Sequence, residues 1–73
     1  MQISGEYIKL DSFLKAVNAA SSGGEAKLLI ADGLVTVNGA GELRRGRKLR
    51  PGDSVAIGGT TFLVEAEAAD ERD

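Results

Sequence analysis

The spacing of apolar positions changes period near residue 34, from a helical rhythm before it to strand-like alternation after it. Tyr7-Ile8-Lys9-Leu10 alternates as a short strand does, and Asp11 follows it as an N-cap for a helix over residues 12–19. Phe13 or Leu14 with Val17 supplies the i, i+3, i+4 stripe of a core-facing helix, and Ser21-Ser22-Gly23-Gly24 ends that pattern in a loop. A second helix is signposted at both ends. Ser22-x-x-Glu25 reads as a capping box, and Gly33 stands where a left-handed residue closes a helix. Ala26, Leu29 and Ile30 share one face between those signals, while Lys27 falls on another side. Leu34 is placed to close a hydrophobic contact back onto the last turn.

Past that point Val35-Thr36-Val37 alternates, Asn38-Gly39 signals a two-residue hairpin turn, and Leu43 begins the predicted return strand. Arg50-Pro51-Gly52-Asp53 suits a type II turn, with Pro fixing φ at the second position and Gly accepting positive φ at the third. Ser54-Val55-Ala56-Ile57, Gly58-Gly59 and Thr60 to Val64 form another hairpin, its inward side Val55, Ile57, Phe62 and Val64. The predicted order is a short strand, two helices, then about four strands in antiparallel pairs. That is an α+β domain with two helices packed on a small, mostly antiparallel sheet of about four to five strands. Residues 1–64 make the domain, and residues 65–73 follow as an acidic tail with no apolar face, expected to fray.

Composition narrows the chemistry. Among 73 residues there is neither cysteine nor histidine, so disulfides, thiolate catalysis, the common zinc sites and the usual neutral-pH proton shuttle are all excluded. The carboxylates have structural uses: Asp11 in a cap, Glu25 in the capping box, Asp53 in the turn or paired with an arginine. No nucleophile and base come together, so no catalytic role, cofactor or metal is expected. The first residues show neither a basic nor an apolar leader segment, and no apolar stretch approaches the ~18 residues of a membrane span. A cytoplasmic, bacterial-type monomer with no membrane partner is the expectation.

Charge changes the picture most. The chain carries a net −2, yet five of its nine basic side chains lie in one stretch, Arg44-Arg45-Gly46-Arg47-Lys48-Leu49-Arg50. The last nine residues, with five acids and one base, account for −4, which leaves residues 1–64 at +2. Arginine forks and a lysine point charge suit phosphate, so Arg44, Arg45, Arg47, Lys48 and Arg50 are candidates to grip a nucleic-acid backbone. The same run also reads as a solvated edge that protects a strand from pairing. Ser22-Gly23-Gly24 with Lys27 one turn on is a second candidate, since free amides at a helix entrance suit an anion. It reads equally as a tight interhelical turn, and it lacks P-loop spacing. Tyr7, Phe13 and Phe62, the three aromatics, fall at core-type spacing, which favours backbone and shape recognition over base stacking.

Three segments, Lys9-Leu10-Asp11-x-Phe13-Leu14-Lys15, Gly33-x-Val35-x-Val37-Asn38-Gly39 and Lys48-Leu49-x-x-Gly52-Asp53-x-Val55, resemble the S4-type RNA-binding domain, the alpha-L fold, across residues 7–64. Gly23-Gly24-Glu25-Ala26-Lys27 and Arg44-Arg45-Gly46-Arg47-Lys48-Leu49 resemble its small stand-alone bacterial branch of YbcJ type. The resemblance implies a non-catalytic module that docks on structured RNA, ribosomal or transfer RNA, and possibly on ribosomal particles. It implies RNA contacts at Ser22, Gly23, Gly24, Lys27, Arg44, Arg45, Arg47 and Lys48. Many relatives carry an Arg near the start of the second helix where this chain has Glu25-Ala26-Lys27, so that contact is not carried over. Larger relatives join the module to a pseudouridine synthase or a tRNA synthetase, and nothing of that kind stands in this sequence. A protein-interaction module, its basic edge docked on an acidic partner, is the alternative. The acidic tail is a candidate shield for the basic face, or a solvated terminus.

Overall fold

A computed structural model describes residues 2–3 and 5–66. Residues 67–73, most of the acidic tail and all of its proposed shielding role, lie outside them. Two short strands come first, β1 (Gln2–Ile3) and β2 (Ile8–Lys9), followed by helices α1 (Leu10–Ala16) and α2 (Gly23–Ala31). Six strands follow: β3 (Val35–Val37), β4 (Ala40–Gly41), β5 (Lys48–Leu49), β6 (Ser54–Ile57), β7 (Thr60–Leu63) and β8 (Glu65–Ala66). Four of them form one antiparallel sheet in the order β4-β3-β6-β7. β2 pairs antiparallel with β5, and β1 pairs in parallel with β8. The architecture is α+β, as the change of hydrophobic period predicts.

The core lies between the helices and the sheet. Leu10, Phe13 and Leu14 from α1, Ala26 and Ile30 from α2, and Val35, Val37, Leu49, Val55 and Val64 from the strands are all buried. Each large member contributes about 1.5–3 kcal/mol relative to an exposed position. Phe13 meets Phe62 edge to face, ring centroids 6.2 Å apart. Ile57, Phe62, Val17 and Leu29 pack at the margin.

Local signals that carry their own chemistry hold closely. Ser22 caps α2 by accepting from the Glu25 amide at 3.1 Å, and the Glu25 carboxylate reaches back to the Ser21 amide and hydroxyl. At the other end Gly33 takes φ +77°, and the Gly33 and Leu34 amides donate to the Ile30 and Leu29 carbonyls, a Schellman closure. The Leu34 side chain itself stays exposed. Asn38 and Gly39, with φ of +53° and +84°, form the two-residue turn between β3 and β4. Gly52 at +101° completes the Arg50 to Asp53 turn, closed by the Asp53 amide on the Arg50 carbonyl at 3.0 Å.

Other expectations are corrected. Asp11 is not the N-cap of α1: the helix begins at Leu10 and ends at Ala16, and Lys9, extended and without a side-chain bond, is the cap. The helix is capped from afar, because the Leu10 and Asp11 amides donate to the Arg47 and Arg45 carbonyls at 2.8 and 3.1 Å. Leu43 does not begin the return strand. That strand is Ala40–Gly41, after which the Glu42 amide donates to the Val35 carbonyl and the chain turns away, leaving Leu43 exposed. Tyr7 is not a core residue but 40% exposed. The tail is not patternless from residue 65, since Glu65 and Ala66 pair with Gln2 and Ile3.

Candidate nucleic-acid interface

The basic run bridges the sheet and the first helix. After β4 the chain makes a tight turn, closed by the Arg47 amide on the Arg44 carbonyl at 3.2 Å, and then enters β5. Leu49, fully buried, pins the run to the core, while Lys48 pairs with Lys9 across the β2–β5 ladder. The carbonyls of Arg45 and Arg47 are occupied by the helix amides. The loop backbone is therefore held on both flanks, and its side chains point outward from a fixed frame.

Beneath it sits Glu42, 6% exposed and the one buried charged or polar side chain among the described residues. Arg44 donates to it from Nε at 3.0 Å, from Nη2 at 3.3 Å and from its backbone amide at 3.0 Å, and Arg47 donates from Nη1 at 2.7 Å. These bonds, the Arg44 side chain first, lower the Glu42 carboxyl to about 2. The same partnership raises the Arg44 guanidinium above its ordinary range. Glu42 thus stays ionised at any ordinary pH. Arg45 turns to a different partner, with its Nε 3.2 Å from Asp11 Oδ2.

Arg44, Gly46, Arg47, Lys48 and Arg50 line an open depression of about 540 Å³. Four cations surround it and Glu42 supplies one counter-charge, a local balance of +3 where the sequence alone suggests +5. Lys48 Nζ stands over the Tyr7 ring at 4.9 Å from its centroid, and Arg50 Cζ at 6.0 Å. The Arg50 amide donates to Asp53 Oδ2 at 2.8 Å, which with the Asn38 amide group lowers the Asp53 carboxyl. Asp53 therefore holds the backbone of Arg50 and leaves its guanidinium to the depression.

Of the eight residues singled out from sequence, Arg44, Arg47 and Lys48 are brought together here. Arg45 sits on the flank beside Asp11. Ser22, Gly23 and Gly24 form the entrance of α2 and Lys27 is exposed on that helix, and none of the four lines the depression. At that entrance the Ser22 hydroxyl and the Glu25 carboxylate are engaged with each other's turn, and Glu25 is held below the usual carboxylate range by Ser21. Sequence reasoning missed Glu42 and Tyr7. An acid two residues before Arg44 was a legible signal for the first. Nothing local marks the second, whose placement follows from β2 pairing with a strand 40 residues away.

The site is thus a held loop that presents cations around an open depression on a small α+β scaffold. The chain belongs to the S4 domain family, which matches residues 1–65. It is 44% identical over 59 residues to the protein of Bacillus subtilis (strain 168) named "Probable ribosome maturation protein RlbA", covering 81% of this chain and 83% of that one. It is 37% identical over 60 residues to the Escherichia coli (strain K12) protein named "Putative RNA-binding protein YbcJ", covering 82% of this chain and 86% of the relative. A Shigella flexneri protein, "Uncharacterized protein YbcJ", matches to the same extent.

Proposed function

We propose that this chain is a non-catalytic RNA-binding module that docks on structured RNA of the ribosomal or transfer RNA class, including ribosomal particles. The observation that carries the reading is the depression lined by Arg44, Arg47, Lys48 and Arg50 on a backbone held at both flanks. A net charge of −2 would repel a polyanion, so attraction must come from this focused patch. Arg45 adds a contact at the edge, and Ser22, Gly23, Gly24 and Lys27 extend the face to the start of α2. The names of two relatives, "Putative RNA-binding protein YbcJ" and "Probable ribosome maturation protein RlbA", support the same reading. On this reading the domain acts in the cytoplasm by binding, and chemistry on the RNA belongs to its partners.

The test is a filter-binding titration against a folded ribosomal RNA fragment at low salt. Replacing Arg44, Lys48 and Arg50 together by glutamine leaves the Arg47–Glu42 bond in place and removes three cations from the depression. Affinity should fall at least a hundredfold, while loss of the Arg44 side-chain bonds to Glu42 costs about 1 kcal/mol of stability and leaves the chain folded. Unchanged affinity in that variant would falsify the proposal. Recovery of a protein partner from nuclease-treated lysate, with no RNA affinity, would point to the acidic-partner alternative instead.

A further inference from the structure

Tyr7 is the part of the basic face that backbone gripping does not explain. Its ring is 40% exposed beside β2, whose Ile8 is half-buried, and two cations stand over it. Lys48 at 4.9 Å is in ordinary cation–π contact. Arg50 is different. At 6.0 Å its guanidinium is too far from the ring to stack on it, since stacked planes lie about 3.5 Å apart. A planar group placed between them, in contact with both, needs about 7 Å. The 6.0 Å from ring centroid to Arg50 Cζ is about 1 Å short of that spacing, and Arg50 is an exposed side chain on a fixed stem. Asp53 and the Pro51-Gly52 turn hold the Arg50 backbone, so its guanidinium can swing outward without disturbing the loop.

The neighbouring volume argues the same way. About 540 Å³ lies within the size range of pockets that take a small organic molecule, and is far more room than one phosphate oxygen cluster fills. Lys48 belongs to both places, touching the ring and lining the depression, so the flat aromatic surface and the phosphate-binding cations are continuous.

The geometry points to a nucleobase subsite: an unpaired base enters between the Tyr7 ring and the Arg50 guanidinium while an adjoining phosphate rests against Arg47 and Lys48. Stacking on an aromatic ring on one side and a guanidinium plane on the other is sequence-tolerant, so the subsite selects an extruded base and not a particular one. The inference rests on the RNA reading above and narrows its ligand to a helix that carries an unpaired nucleotide.

Tyr7 is the sole tyrosine and the chain has no tryptophan, so its emission reports on this ring alone. Two RNA hairpins serve as probes, one with a single bulged 2-aminopurine and one with an abasic residue at the same place, each titrated at ~50 mM salt. The wild-type chain should bind the bulged hairpin about tenfold more tightly, with quenching of both tyrosine and 2-aminopurine emission. Tyr7→Ala should lose that tenfold on the bulged hairpin and nothing on the abasic one, while Tyr7→Phe keeps the preference. Equal wild-type affinity for the two hairpins, or an equal loss on both in Tyr7→Ala, overturns the subsite and leaves RNA binding standing. Failure of the wild-type chain to bind either hairpin overturns both readings.

Discussion

Glu42 shows how one buried side chain can set the charge and order of the depression above it. Its carboxylate takes the Nε and Nη2 edge of Arg44, the fork that would otherwise meet a phosphate bidentately, and only one nitrogen of Arg47. Arg44 is therefore committed to Glu42 while Arg47 keeps donors free, so Arg47→Ala should weaken RNA binding more than Arg44→Ala in the same titration. Glu42 also makes stability depend on acid. Its folded-state value of about 2 lies below the ordinary 4.5, so the folded state binds this proton less readily than the unfolded one. The contribution is complete above pH ~4.5 and is lost as pH falls towards ~2. Urea midpoints measured across that interval should drop more steeply in the wild-type chain than in Glu42→Gln. At neutral pH the Gln variant should be less stable by about 1–2 kcal/mol, because its arginine partners can turn to water. Asp53 and Glu25, both lowered, steepen the two profiles alike and cancel in the comparison.

The two helices differ in how far their terminal signals lie along the chain. Those of α2 are local, with Ser22 and Glu25 at one end and Gly33 at the other, and every one was legible from spacing. α1 takes its caps from the carbonyls of Arg45 and Arg47, so a local reading assigned the nearest capping residue, Asp11, which instead pairs with Arg45 across 34 positions. The hairpin turns were legible because Asn38, Gly39 and Gly52 carry the positive φ that those turns demand. The cation run was legible by composition alone. Its neutralising partner, Glu42, was legible two residues before Arg44 but went unread, whereas its aromatic neighbour was not legible, because that contact depends on β5 being drawn beside β2 with Leu49 in the core. That dependence is testable. Leu49→Val should cost about 1 kcal/mol of global stability. Amide exchange should quicken at Leu10 and Asp11, which bond to the basic loop, more than at Gly33 and Leu34, whose bonds stay within α2. Equal acceleration at both helices would show that the loop and α1 are not a unit. Ser22→Ala is the converse variant, costing about 1 kcal/mol at α2 while leaving the loop untouched.

Across the whole molecule, the quantity that matters is the distribution of charge and not its sum. The chain as a whole is acidic at −2, and the five cations of the run, counted alone, promise a strongly salt-sensitive grip. The structure reduces that promise twice, since Asp11 pairs with Arg45 and Glu42 with Arg44 and Arg47, leaving a balance of +3 at the depression. Each phosphate neutralised contributes about −0.9 to the slope of log affinity against log salt on a duplex. Three such contacts give a slope of about −2.7, so affinity for a folded RNA should fall about 40-fold between ~50 and ~200 mM salt. Five would give about −4.5 and a loss of about 500-fold. Glu42→Gln provides the internal control, because it frees one positive charge without adding a residue to the face. Its slope should steepen by about 0.9, and its affinity at ~50 mM salt should match or exceed the wild type's even though the fold is less stable. A wild-type slope near −4.5, unchanged in Glu42→Gln, would mean that RNA pulls Arg45 off Asp11 as well as Arg44 and Arg47 off Glu42, and that the bound loop is rearranged from the one described.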